Sequence, residues 1–300
     1  MNIQTQAFIA VTAQSIPYYA DTTAIFNTLC QPNSNSLLLD SAEIGSKNSL
    51  QSLILVNAAV KITCLGHNVT FKALNTNGKQ VLKEIHPKLT ALGKISAVNF
   101  ENEFSVQFSP LDNQLDEDSK LQSATIFDGL RVISTLYQHS QTPIFLGGLF
   151  AYDLVANFIP MDGITLQNDG INCPDYSFYL AEHLITIDHQ NQQATLKSFC
   201  FAQEEQVNIA KTSLSIAQKL KNIDHVLSIK AASDEVKTNF DDPEFTGIVK
   251  ALKHYINIGD VFQIVPSRRF FLACPNTLAS YAQLKQNNPS PYMFYMNDED

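Results

Sequence analysis

Two stretches, far apart in the chain, carry the side chains best suited to holding a small molecule. The first is Leu37-Leu38-Leu39-Asp40-Ser41-Ala42. Asp40 offers an anionic acceptor and Ser41 a hydroxyl, a combination that can hold an ammonium group. The same two residue types favour turns and helix caps, so a capping role stands beside the ligand-binding one. The second stretch is Asn288-Pro289-Ser290-Pro291-Tyr292-Met293-Phe294-Tyr295-Met296. Its two prolines fix φ and remove backbone donors, which stiffens a bend. Beyond them, strand alternation puts Tyr292, Phe294 and Met296 on one face and Met293 and Tyr295 on the other. Flat rings and thioethers beside a rigid bend make walls for a planar ligand. A proline-bounded core strand is the plainer alternative.

Other chemistry is thinner. No GxSxG nucleophile elbow occurs, nor the GxxxxGK[ST] or GxGxxG phosphate loops. The glycine pair in Phe145-Leu146-Gly147-Gly148-Leu149-Phe150 reads as close backbone packing instead. The seven histidines are scattered singly, and no two of the five cysteines have metal-ligand or redox spacing. The cysteines read as reduced core thiols of a cytoplasmic protein. The acidic run Asp112 to Lys120 reads as a solvated surface, without the regular ligand spacing of a cation loop. Arg268-Arg269 suits bidentate pairing with a carboxylate, or a salt bridge within the protein.

The elements that position these groups follow from periodicity. Strands are expected at Phe8 to Thr12, Leu37 to Leu39, several segments between Leu50 and Leu74, Phe104 to Phe108, Phe145 to Phe150, Tyr176 to Asp188 and Ala194 to Phe201. Gly66-His67-Asn68 reads as a hairpin turn and Asn75 to Gly78 as another turn. Helices are expected after Asp21, over Ala124 to Tyr137 and over Val207 to Leu220. Asp242-Pro243-Glu244 opens a further helix, with Asp242 as N-cap and Gly259 ending it. A strand is expected from Val261 to Phe270, and Thr277 is expected to cap a short helix. Lys221 to Asn239 reads as a connector, with room for a short strand at Val226 to Lys230, and the domain boundary is placed there.

Composition narrows the function classes. At 300 residues the chain holds one large domain or two ordinary ones, and its 45% hydrophobic content supplies a sizeable core. The net charge of -9 excludes the basic face of a nucleic-acid binder. No run reaches the roughly 18 uncharged apolar residues of a membrane span. Met1 to Gln6 has neither the basic nor the apolar region of a secretory signal.

Gly259-Asp260-Val261-Phe262-Gln263-Ile264-Val265-Pro266-Ser267-Arg268-Arg269-Phe270 resembles the GD-x-FQ-x-V-x-SRRF segment of chorismate-utilising enzymes. The likeness is nearest the anthranilate synthase component I branch. Leu37 to Ala42, Gly147 to Leu154 and Asn288 to Tyr295 agree with that branch in the same order. The resemblance implies an α+β fold, with antiparallel sheets forming a β-sandwich-like core under peripheral helices. It implies a regulatory, tryptophan-binding domain over 1–222, and over 223–300 the start of a chorismate-binding domain, incomplete. The implied reaction converts chorismate and ammonia to anthranilate and pyruvate. Ammonia comes from a glutamine amidotransferase partner, Mg²⁺ is required, and L-tryptophan inhibits by feedback. The implied tryptophan site comprises Leu39, Asp40, Ser41 and Lys47 on one side and Pro291, Tyr292 and Met293 on the other.

The match departs from the family in two ways. Asp40 stands where the family commonly has Glu, which keeps the charge and shortens the reach by one methylene. The family's Mg²⁺-binding glutamates, catalytic His and chorismate-binding Arg and Gly residues lie beyond the segment matched. The expectation is therefore an N-terminal portion without catalytic or metal-binding residues, inactive by itself. An aminodeoxychorismate synthase-like enzyme holding tryptophan structurally, and a non-catalytic tryptophan-binding or docking module, are the alternatives.

Overall fold

The fold turns on two long strands with a break in register between them. In the computed structural model, residues 7–30, 32, 34–41, 50–112, 114–159, 173–223 and 235–299 are described. The chain divides into two compact units, one comprising Met1–Val226 with Asn287–Asp300, the other Leu227–Gln286.

In the first unit the elements are β1 (Ala10–Ile16), α1 (Thr22–Leu29), β2 (Ser36–Asp40), β3 (Gln51–Leu65), β4 (Asn68–Ala73), α2 (Thr76–Leu89), β5 (Lys94–Asn99) and β6 (Glu103–Gln107). There follow α3 (Glu117–Gln122), α4 (Asp128–Leu136), β7 (Leu146–Phe150), β8 (Tyr176–Asp188), β9 (Gln193–Cys200) and α5 (Gln206–Lys219). The second unit holds β10 (Lys237–Thr238), α6 (Asp242–Asn257), β11 (Phe270–Phe271) and nearly all of α7 (Thr277–Asn287). The chain then adds β12 (Met293–Asn297) to the first unit.

Among the described residues ten strands form one antiparallel sheet, so the chain is α+β, as expected. β3 and β8 pair along their lengths. On its other edge β3 carries β2 at Leu53–Leu55 and β4 at Val60–Leu65. β8 likewise carries β9 at His183–Asp188 and β7 at Leu146's partner Leu180 and below. The sheet therefore splits into two lobes that share their central strands. The division falls where the β3–β8 register shifts between Leu55 and Val60. Extra residues there bend and twist the strands.

Each lobe has its own helical cover. α2 packs on β3, β4 and α4, burying Val81, Leu82, Ile85 and Leu89. Phe71 and Phe104 stack beneath it with centroids 5.1 Å apart. α1 packs on β2, β3 and α5, and α5 on β9. Asp21 caps α1 as expected, its Oδ1 accepting from the backbone of Thr23 and Ala24.

α2 and β5 are elements the periodicity did not predict. The Asn75 to Gly78 turn is in fact the start of α2. Asn75 Oδ1 accepts from Gly78 N at 2.8 Å and caps it. Asn77, buried, then locks the helix to the sheet. Its Nδ2 donates to Glu182 Oε2 and Phe199 O, and its Oδ1 accepts from Phe201 N and Ala202 N. Gly78 lies so close to β3 that a Cβ would come 1.9 Å from Ala59 O. An alanine would gain about 1 kcal/mol of helix propensity, but it must push the strand backbone away. Gly78→Ala therefore loses at least about 2 kcal/mol of stability in urea unfolding. A gain instead would contradict the close approach.

Several other expectations need correction. β1 lies two residues later than Phe8 to Thr12 and runs on to Ile16. Part of the acidic run is helical, with Asp116 capping α3. α4 starts at Asp128 rather than near Ala124, because the Asp128 carboxylate turns back to accept from Thr125 N. Three cysteines are buried, but Cys173 and Cys274 are exposed. The possible Val226 to Lys230 strand lies outside the described residues.

Within the second unit, α6 is capped by Asp241, one residue before Asp242, with Glu244 completing a capping box. Gly259 follows with φ +83°, the left-handed end expected of it. The strand expected over Val261 to Phe270 survives only as Phe270–Phe271, opposite Lys237–Thr238. Strand propensity is realised by pairing and burial, and Phe262 and Val265 have side chains out in solvent. Arg268 forms the salt bridge, donating to Asp242 Oδ1, with the Phe245 and Phe270 rings beside it. α7 is capped by Asn276, whose Oδ1 accepts from Ala279 N, and not by Thr277.

Candidate functional site

The two stretches singled out in the sequence meet as neighbouring strands. β12 pairs antiparallel with β2, with Met293 opposite Asp40, Phe294 opposite Leu39 and Tyr295 opposite Leu38. The pairing is long-range, yet both strands need it. β2 is three leucines bounded by polar residues, and β12 emerges from the proline bend with alternating rings and thioethers. Leu37 and Leu38 are buried under the pair. Tyr295 meets Phe26 of α1 edge-on at 5.4 Å, which ties β12 down. Tyr292 is 91% exposed and Phe294 57%. A core-strand role therefore accounts for Met293 and Tyr295 but leaves these two rings unexplained.

Asp40 ends β2 and is buried. It is not a helix cap. Thr22 Oγ1 donates to its Oδ2 at 3.0 Å, and Ser52 Oγ to its Oδ1 at 2.7 Å. Ser52 Oγ also lies 2.9 Å from His189 Nε2, and His189 Nδ1 lies 3.2 Å from Tyr18 OH. The serine has one proton, and it goes to the carboxylate. His189 Nε2 must therefore be the donor to Ser52, and in the neutral ring Nδ1 accepts from Tyr18. Two hydroxyls thus hold the carboxylate, and His189 and Tyr18 back one of them.

The expected residues fall as follows. Leu39, Asp40 and Met293 sit together on the paired strands. Ser41 follows β2 directly, and Pro291 and Tyr292 lead into β12. Lys47 lies outside the described residues. Thr22, Ser52, His189 and Tyr18 were not anticipated. Each is an ordinary polar residue in its own segment, and only the tertiary fold brings them to Asp40.

A second polar cluster lies at the register break. Glu182 is buried, accepts from Asn77, and has its Oε1 3.6 Å from His183 Nδ1. Burial raises its carboxyl to about 7. Burial likewise lowers the fully enclosed His183 to about 4, so the ring stays neutral in the fold. His183 Nε2 faces Ile209 O at 3.4 Å. Burial pushes the Cys30 and Cys64 thiols up to about 12, which makes them inert as nucleophiles. Among the described residues no three His, Cys, Asp or Glu side chains gather to hold a metal, and no helix is long and apolar enough to cross a membrane.

The family model for chorismate binding enzyme matches residues 81–300. Anthranilate synthase component 1 of Haemophilus influenzae (strain ATCC 51907 / DSM 11121 / KW20 / Rd) is 97% identical over 300 residues, covering all of this chain and 58% of that protein. The protein of the same name from Vibrio cholerae serotype O1 is 45% identical over 309 residues, covering all of this chain and 57% of its own length. The chain thus spans a little over half the length of these relatives. A crystal structure of anthranilate synthase component I from Streptococcus pneumoniae TIGR4 aligns with a TM-score of 0.49 and 17% identity, over 83% of this chain and 48% of that one. That likeness bears on neither residue roles nor chemistry.

Proposed function

The chain belongs to the chorismate binding enzyme family, and from that premise we propose that the whole protein is the large component of an anthranilate synthase. Its reaction is chorismate plus ammonia to anthranilate and pyruvate, in tryptophan biosynthesis. Ammonia is supplied from glutamine by an amidotransferase subunit. The relatives' shared name supports this reading at the level of the whole protein.

Within this chain we assign the β2–β12 pair to L-tryptophan as feedback inhibitor. The observation that carries the assignment is the register that sets Met293 against Asp40. In this reading Asp40 and Ser41 receive the ammonium group, with Lys47 as a further contact. Leu39, Pro291, Tyr292 and Met293 line the indole. Exposed aromatic rings, with a thioether packed behind them and a buried carboxylate beside them, are what an amphipathic amino acid recognises.

Mg²⁺ belongs to the proposed reaction, but the described residues offer no converging set of ligands for it. No step in this chain is assigned to the ion. The 300-residue chain by itself forms no anthranilate from chorismate, ammonia and Mg²⁺, whereas the full-length product does. Anthranilate fluorescence reads both, and turnover by the short chain would overturn that assignment.

The regulatory half of the proposal is tested on the full-length product. Ser41→Phe crowds the ligand's ammonium end, and overfilling a packed site costs roughly 1–3 kcal/mol. Inhibition by L-tryptophan therefore weakens by at least about tenfold, with the uninhibited rate retained. Unchanged inhibition would remove Ser41 from the site.

A further inference from the structure

The register break opens a surface pocket that the function proposed above does not use. It has a volume of about 470 Å³. Its walls come from the end of α1, the residues leading into β2, the bulged part of β3, the entry to α2, and β8. No residue of the β2–β12 pairing lines it. Leu29, Val56 and Leu74 make apolar walls, and Glu182 and Asn35 supply acceptors.

Three observations point to a ligand there. Glu182 is 6% exposed, and its Oε2 accepts from Asn77. Its Oε1 lies 3.6 Å from His183 Nδ1, too far for a hydrogen bond. Asn35 Oδ1 is buried with no hydrogen-bond partner among the described residues. An orphaned acceptor opening onto the same pocket as a buried carboxyl is costly unless a donor reaches it. Finally, the bulge that opens the pocket interrupts the central strand pair, a place where such irregularities re-aim side chains.

We propose that this pocket binds a small primary ammonium ion with a short aliphatic tail. The N–H donors go to Glu182 Oε1 and Asn35 Oδ1, and the tail lies against Leu29, Val56 and Leu74. A bound cation holds the carboxylate ionised, whereas burial alone favours the protonated acid and raises it to about 7. Binding near pH 6.5 therefore releases a proton. The groups facing Glu182 are His183 on its own strand, Asn75 and Asn77 at the start of α2, Glu205 before α5 and Cys200 on β9. His183 is already neutral at that pH, so the released proton comes from Glu182.

The test is calorimetric titration of n-butylammonium chloride into the purified chain at pH 6.5, in two buffers of different ionisation enthalpy. Saturable binding whose heat differs between buffers by the release of a proton supports the site. Glu182→Gln, shown to be folded by circular dichroism, then binds at least tenfold more weakly, and Asn35→Leu at least threefold. Three results would each overturn the proposal: no saturable heat, binding without proton release, or tetramethylammonium binding as tightly as the primary amine. All three are read on the unmodified chain and do not depend on the variants folding.

Discussion

Asp40→Ala lowers the stability of the chain by about 3 kcal/mol and weakens L-tryptophan binding by at least about tenfold. The stability loss follows from the two hydroxyls left behind. Thr22 and Ser52 are both buried, and both donate to the carboxylate. A buried donor that loses its acceptor costs about 1–3 kcal/mol. The damage extends beyond the pair, because Ser52 also takes the His189 proton and His189 the Tyr18 hydroxyl. Asp40→Asn separates the structural effect from the binding effect. Its amide oxygen still accepts one hydroxyl, so stability falls by only about 1 kcal/mol, but the charge is gone and tryptophan binding falls as far as in the alanine variant. Urea unfolding followed by circular dichroism reads the first quantity and ligand titration the second. An alanine variant as stable as the parent would mean that the buried network carries no weight.

Glu182→Gln becomes progressively more stable than the parent as pH rises from about 4.5 to 7, by roughly 3 kcal/mol in all. The direction follows from where the proton sits. Burial holds the folded Glu182 at about 7, against an ordinary value of 4.5. Between those values the folded protein keeps a proton that the unfolded chain has released, so stability falls as pH rises. His183 works the other way. Its folded value is about 4 against 6.5, so stability falls as pH drops through that window. In the parent the two slopes oppose each other between 4.5 and 6.5, and stability is nearly flat there. Removing Glu182 uncovers the histidine slope, and the variant gains about 1.4 kcal/mol per pH unit over that range. A parent whose stability climbs with pH as steeply as the variant's would show that Glu182 ionises in the fold as it does in the unfolded chain.

The candidate site was more legible in the sequence than the fold around it. A proline bend running into alternating rings and thioethers, and a leucine run ending in Asp40 and Ser41, are local patterns, and the strands expected there are β12 and β2. The direct pairing of those strands was not predicted, and the family resemblance only put both stretches in one site. The hydroxyls on Asp40 were not legible, because Thr22, Ser52, His189 and Tyr18 come from separate segments with no pattern linking them. α2 was missed for a different reason. Its first turn, Thr76-Asn77-Gly78, uses turn-forming residues, and they are there because the helix must start against Ala59 with no Cβ in the way. Val261 to Phe270 shows the opposite failure. Its composition suits a strand, but only Phe270 finds a pairing partner among the described residues.

The most direct test of the tryptophan assignment uses a feature of the chain itself, which contains no tryptophan. Indole fluorescence excited selectively then reports the ligand alone. Titrating the purified chain against L-tryptophan should give a saturable shift of that emission, one site per chain, lost on replacing Asp40 by Asn or Ser41 by Phe. Saturable binding that both variants retain would contradict the account, because the β2–β12 pair would then not be where the indole lies.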